Sequence, residues 1–346
     1  MKKYLIIAIA GLLAAGCVTD NTPTTGQQAQ EYLKIWMDHW NTQNGKNVQP
    51  TSLGVYILDD VPGPATADEW SADHAFTYAS FTIRSLSGSV SATSDANLAK
   101  QVGTYAVANY YGPTVVAIGS GLSYAGVDEA LKGMRIGGTR TVVIPAWLMT
   151  TSRYDSLDAY LEACTSTTHY IYTLTPVEQF DDSTEWEKQR IADFMNAKFP
   201  GQASTTFPDL EEDDGTFWFI TDASGFEEGN KRTSTASNLR VLYTGYRLDG
   251  SIFDTNIETV AIDNEVWSSS RTYGSESISY TDTWSEIKVN SSTYIDGFIA
   301  GLSMMWWAGQ KATVAFTSTH GYSTTGSGDA IPGYCPLVFD LQLVEE

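Results

Sequence analysis

A chain of 346 residues has room for two domains, and a hydrophobic share of 42% supplies cores of ordinary size. Its 41 Asp and Glu against 20 Lys and Arg give a net charge of −21. Such a surface repels phosphate backbones and sets nucleic acid aside as a partner. The 29 glycines and 19 tyrosines, with abundant Ser and Thr, suit a mainly β chain with many turns.

The N-terminus reads as an export signal. Met1-Lys2-Lys3 precedes the apolar run Leu5 to Ala15, too short for a transmembrane helix. The run ends in Leu13-Ala14-Ala15-Gly16-Cys17, which resembles a bacterial lipobox. That resemblance implies cleavage before Cys17, lipid on its thiol and new amine, and an exported protein held on a membrane surface without a spanning helix. The alternative is an ordinary secretion signal with an incidental cysteine. Val18 to Gln28 is a polar tether.

Residues 30–40 have helical spacing, with Leu33, Trp36, Met37 and Trp40 on one face, and Asn44-Gly45 stops them. Leu53 to Leu58 reads as a strand that Pro62-Gly63-Pro64 breaks. Ala75 to Ser87 alternates as a strand up to Gly88. Gly126 to Met134 is a short helix, Gly137-Gly138 turns into a strand at Thr141 to Pro145, and Tyr170 to Leu174 closes the unit. The pattern then restarts. Trp186 to Met195 is a second amphipathic helix, and Gly215 to Asp222 a second strand ending in Asp. Asp59 and Asp222 stand 163 apart, and the turn glycines Gly88 and Gly250 stand 162 apart. Near-equal offsets at unrelated landmarks point to an internal duplication. The acidic run Asp209 to Asp214 reads as a solvated loop, lacking the regular spacing of a calcium loop.

The sharpest stretch is Val241 to Asp254. β-branched and aromatic residues fill Val241 to Leu248, Asp249-Gly250 supplies a hairpin turn, and Phe253-Asp254 ends a second short strand. Ile295-Asp296-Gly297-Phe298, Gly301 to Met305, Gly309 to Ala312, Gly321-Tyr322, Ala330-Ile331-Pro332 and Leu337 to Leu341 follow in order. This order and spacing, over roughly 238–344, resembles the FKBP-type peptidyl-prolyl isomerases. Residues 74–180 resemble a divergent second copy. The expected fold is therefore α+β: two FKBP-like domains, each an antiparallel sheet wrapped on a short helix and preceded by an amphipathic helix and a strand. The expected divisions are 1–17 signal, 18–73 tether with helix and strand, 74–180 divergent domain, 181–230 helix and strand, and 231–346 isomerase domain.

The resemblance implies a site. Tyr243, Phe253, Asp254, Ile295, Phe298, Tyr322, Ile331 and Phe339 take the family's pocket positions. Phe253 and Phe339 would be walls and Phe298 the floor. Ile295 would offer its N–H, and Tyr322 its hydroxyl, to a substrate carbonyl, while Tyr243 would position Asp254. The chemistry fits such residues. A prolyl bond rotates over roughly 18–20 kcal/mol because rotation breaks amide resonance, and no nucleophile is needed. An apolar pocket that excludes water, with a few polar groups at the carbonyl, can lower that barrier.

In the first copy Phe81 stands at the place of Tyr243, Ser91-Ala92 at Phe253-Asp254 and Val127 at Phe298. It reads as a scaffold or binding domain. The segment Ile257 to Ser292, with Trp267, Tyr273, Tyr280 and Trp284, either covers the pocket or lengthens strands. Cys164 and Cys335 read as buried free thiols, though export would permit a disulfide. His39, His74, His169 and His320 are scattered, Gly121 to Ala125 lacks the second glycine of a nucleophile elbow, and no phosphate loop or dinucleotide fingerprint occurs. No cofactor or metal is expected. The function implied is an isomerase that assists folding of exported, proline-containing polypeptides. The alternative is a non-catalytic surface lipoprotein gripping peptides or glycans.

Overall fold

The computed structural model describes residues 22–204, 216–222 and 238–345. The export signal, Cys17, the start of the tether and the acidic run at 209–214 lie outside them. In chain order the first half contains α1 (Thr25–Asn44), β1 (Tyr56–Val61), β2 (Phe76–Ser85), β3 (Val90–Thr93), α2 (Ala96–Val102), β4 (Thr114–Ala117), α3 (Ala125–Leu131), β5 (Thr139–Ile144), α4 (Leu157–Ala163) and β6 (Tyr170–Phe180). The second half contains α5 (Ser183–Lys198), β7 (Phe217–Asp222), β8 (Leu239–Arg247), β9 (Ile252–Thr255), α6 (Glu258–Asp263), β10 (Glu276–Ser279), β11 (Lys288–Val289), α7 (Asp296–Ser303), β12 (Lys311–Phe316) and β13 (Leu337–Glu345).

Local chemistry sets these limits. Thr24 caps α1 in a reciprocal capping box with Gln27, and Gly45, at φ 62°, ends the helix in the left-handed region. Leu33 and Met37 are buried, and Trp36 and Trp40 pack on the same core. Gly250, at φ 81°, closes the hairpin between β8 and β9. The strand expected from Leu53 begins only at Tyr56. Thr51 to Gly54 form a turn in which the Gly54 N–H bonds the Thr51 carbonyl at 3.0 Å.

The two antiparallel sheets repeat one plan. The first runs β1-β5-β6-β2-β3, with β4 also on β2; the second runs β7-β12-β13-β8-β10-β11, with β9 also on β8. Element for element, β7-β12-β13-β8 retraces β1-β5-β6-β2. β3 and β9 occupy the second half of the long strand, and β4 and β10 the first half. Both hairpins are bulged at one matching point, after Ile83 and after Gly245. Just before the bulge a threonine pair crosses the hairpin in each: Thr82 to Thr93 at 2.8 Å and Thr244 to Thr255 at 3.0 Å.

The 162-residue offset of the turn glycines thus holds at Thr82 and Thr244. The pairing of Asp59 with Asp222 does not hold. Asp59 lies opposite Thr141, the place of Ile220 opposite Thr313, whereas Asp222 lies opposite Lys311, the place of Val61 opposite Thr139. A bulge between Ile57 and Asp59 shifts β1 and carries it beyond Asp59.

A short helix packs on each sheet through a glycine at the same position. A Cβ on Gly126 would lie 2.2 Å from Ile144, and one on Gly297 would lie 2.3 Å from Phe316, the last residue of β5 and of β12 respectively. The following residues, Val127 and Phe298, enter their cores. The segment after α6 adds β10 and β11 to the edge of the second sheet, with Tyr280 buried in its core. It lengthens the sheet, and it also bears on the site, as described below. Cys164 and Cys335 are free and half-buried, one in each unit.

The units touch. The Tyr110 N–H donates to the Asp329 carbonyl at 2.9 Å. Arg247, 1% exposed, donates through Nη1 to the carbonyls of Ala108 (3.2 Å) and Ala330, and through Nε to Ser251 Oγ at 2.8 Å.

Candidate active site

Strand β8 aims Tyr243 and Gly245 at one face of the second sheet. Position 245 must be glycine for a steric reason. A Cβ there would stand 2.7 Å from Phe253 Cζ and 2.7 Å from Phe339 Cε1, so the two rings close over bare backbone. Phe253 and Phe339 meet edge to face at 5.6 Å, Phe298 meets Phe339 at 5.1 Å, and Tyr243 meets Phe298 at 5.3 Å. Edge contacts of this kind suit aromatic quadrupoles. Ile331 is buried in the same cluster, and Ile295 and Tyr322 are half-buried against it. Seven of the eight residues expected from the sequence therefore lie in or against one cluster, and Asp254 joins it through Tyr243.

Polar atoms are few and placed at the rim. The Tyr243 hydroxyl donates to Asp254 Oδ2 at 2.9 Å. Burial, and then the Asp254 carboxylate, raise the Tyr243 pKa above the ordinary tyrosine range, so the hydroxyl keeps its proton. Tyr322 is raised too, by burial first and Asp254 second. Its hydroxyl bonds no described residue, and neither does the Ile295 N–H at the N-cap of α7. Two donors are thus unspent beside the aromatic cluster.

Three contributors were not expected from the sequence. Arg271, on the segment after α6, donates to Asp254 and, through Nη2, to the Tyr243 hydroxyl at 2.7 Å. Tyr294 stacks on Phe298 at 5.0 Å and donates to Glu276 at 2.7 Å, widening the floor. Asn256 is fully buried: its Oδ1 accepts from the Tyr243 N–H at 2.8 Å and its Nδ2 donates to the Val241 carbonyl at 3.0 Å. That pair fixes the chain just beyond Asp254. Nothing in the sequence around Asn256 or Arg271 marks either residue for this place.

Beneath the site, α5 anchors the turn that leads to Tyr322. Glu187, 2% exposed, accepts from the Ser318 N–H at 2.5 Å and from its hydroxyl at 2.8 Å. Burial raises the Glu187 pKa, and the two bonds from Ser318 oppose it. In the first unit the equivalent N–H, that of Ala146, donates instead to His169 Nδ1 at 3.0 Å.

Known proteins resemble the C-terminal part of the chain. Residues 229–344 match the model of the family described as FKBP-type peptidyl-prolyl cis-trans isomerase. FK506-binding protein 2 of Dictyostelium discoideum is 26% identical over 118 residues, covering 34% of this chain and 71% of its own length. Among solved structures, a peptidyl-prolyl cis-trans isomerase from Pseudomonas syringae pv. tomato is 23% identical, covering 47% of this chain and 96% of that one, with a TM-score of 0.28. The three FKBP domains of wheat FKBP73 are 12% identical, covering 84% and 94%, with a TM-score of 0.27. The C-terminal unit of this chain is thus similar, over residues 229–344, to the FKBP-type peptidyl-prolyl cis-trans isomerase family.

Proposed function

We propose that this protein is a peptidyl-prolyl cis-trans isomerase whose activity resides in the C-terminal unit. The observation that carries the reading is the pairing of an aromatic cluster with two unspent donors, the Ile295 N–H and the Tyr322 hydroxyl. A proline ring seated among Phe253, Phe298 and Phe339 leaves water behind, which removes the solvent that favours the polar planar amide. The two donors meet carbonyls of the substrate and hold the twisted bond. Asp254, held by Tyr243 and Arg271, fixes the rim of the pocket.

The first unit lacks this apparatus: Ser91, Ala92 and Val127 stand where the second has Phe253, Asp254 and Phe298. The test is turnover of a proline-containing tetrapeptide by the full chain. Wild type should accelerate isomerisation and Phe253→Ala should lose it. A folded wild-type chain without turnover would leave the non-catalytic peptide-binding reading in its place.

We propose also, from the run Leu13 to Cys17, that the substrates are exported polypeptides met at a membrane surface. Mass spectrometry of membrane-extracted protein should find lipidated Cys17; an unmodified Cys17 or a different N-terminus would remove this part of the reading.

A further inference from the structure

The first unit carries an apolar cavity at the place where the second carries its site. It holds about 250 Å³, and no charged side chain lines it. Its walls include Phe81, Ile83, Val127, Tyr172 and Leu174. Sheet register makes Phe81 the counterpart of Tyr243, Ile83 of Gly245 and Tyr172 of Phe339. Val127 replaces the larger Phe298 after the matching helix glycine, and Ser91-Ala92 replaces a ring and an acid. The exchange removes the catalytic apparatus and leaves apolar space. Leu122, 61% exposed, and Tyr124, 43% exposed, also line it and hold apolar surface in water. A cavity of about 150 Å³ with similar walls accepts benzene in another protein, so one aromatic or aliphatic side chain fits here.

A second observation names the kind of ligand. A neighbouring cavity of about 280 Å³ shares Phe81 and Thr114 with the first and reaches Asp329 and Pro332 of the second unit. Those residues flank Ile331, a member of the catalytic cluster. Thr93, Thr104, Asn109 and Thr114 line this passage. Hydroxyl and amide groups along a passage can bond a peptide backbone and offer nothing to an acyl chain.

We propose that the first unit binds a large apolar side chain of an extended, unfolded polypeptide, and that the chain runs from this cavity along the passage toward the isomerase site. The inference rests on the isomerase reading for the second half of that path. The cavity keeps the substrate near the site between successive prolyl encounters, as two linked binding places do.

The test uses the full chain and a permanently unfolded, carboxymethylated polypeptide as the probe, with affinity read by equilibrium titration. Leu122→Asp charges the exposed rim, and Val127→Trp fills the cavity; circular dichroism checks that each is folded. Both should weaken binding at least about tenfold, the effect of leaving one large apolar side chain unburied. Unchanged affinity in folded Leu122→Asp would overturn the proposal. So would binding of a dispersed saturated fatty acid in the cavity by a chain that does not bind the polypeptide. If wild type binds the polypeptide through the cavity yet turns over no proline, the isomerase reading fails while the binding site stands.

Discussion

The two units share a sheet order, a bulge, a threonine pair and a helix glycine, and they differ at the one face where chemistry is expected. Gly245 in β8 lets two phenylalanine rings close over the backbone; Ile83 fills the same position in β2. That register position, together with Ser91, Ala92 and Val127 at the places of Phe253, Asp254 and Phe298, separates a pocket closed by two phenylalanine rings from an open apolar cavity. The duplication preserved what the backbone needs and released what only the site needs.

The sharpest way to break this comparison is to move the first unit's residue into the second. Gly245→Ile places a branched side chain where even a Cβ is 2.7 Å from both rings. Peptide turnover should fall about a thousandfold, equivalent to about 4 kcal/mol of transition-state stabilisation. Activity within tenfold of wild type would mean that Phe253 and Phe339 are not the walls.

The next largest effect concerns pH. His169, 3% exposed, is held neutral by burial, which lowers its pKa to about 4 against a smaller opposing contribution from the Ala29 backbone. A folded pKa below the unfolded value gives stability that is complete above about pH 6.5 and is lost as pH falls through about 4. The loss amounts to about 3 kcal/mol on the linkage relation. Urea denaturation of wild type and His169→Gln across this window checks it: the variant should show the shallower decline. Its partner in the comparison, Glu187, has a raised pKa and so the opposite sign. Its contribution is present at low pH and lost as pH rises through its folded pKa.

Asp254→Ala should cost about tenfold in turnover, near 1.4 kcal/mol, because it leaves Tyr243 and Arg271 without their shared partner at the rim. The expected readout is kinetic, with the thermal midpoint little moved; a large drop in stability would make Asp254 structural. Smallest of all, Glu187→Gln retains an acceptor for Ser318 while removing the buried charge. It should raise stability above neutral pH by about 1 kcal/mol or less. A fall of several kcal/mol would show the ionised carboxylate to be the better acceptor.

Much of this was legible in the sequence, because the deciding signals were local. Asp249-Gly250 fixed a hairpin, and the hairpin fixed the positions of Tyr243, Phe253 and Asp254 relative to one another. Repetition of turn glycines fixed the duplication. Signals that depend on distant pairing were not legible. The bulge at Ile57 to Asp59 shifted β1 against the alignment of Asp59 with Asp222, and no local pattern marks a bulge of that kind. Arg271 reaches Asp254 across 17 residues of chain with no periodicity between them. Tyr294 and Asn256 act through packing and backbone bonds that exist only once β8 and α7 are assembled.

Arg247 has a mechanical consequence. A single guanidinium group bridges Ala108 of the first unit and Ala330 of the second, and Tyr110 adds a backbone bond to Asp329 beside it. Ala330 adjoins Ile331 in the wall of the site. The loop is therefore a lever with its handle in the other unit. A rotation of one unit against the other must either break the bonds from Arg247 to Ala108 and from Tyr110 to Asp329 or pull on Asp329, two residues before Ile331.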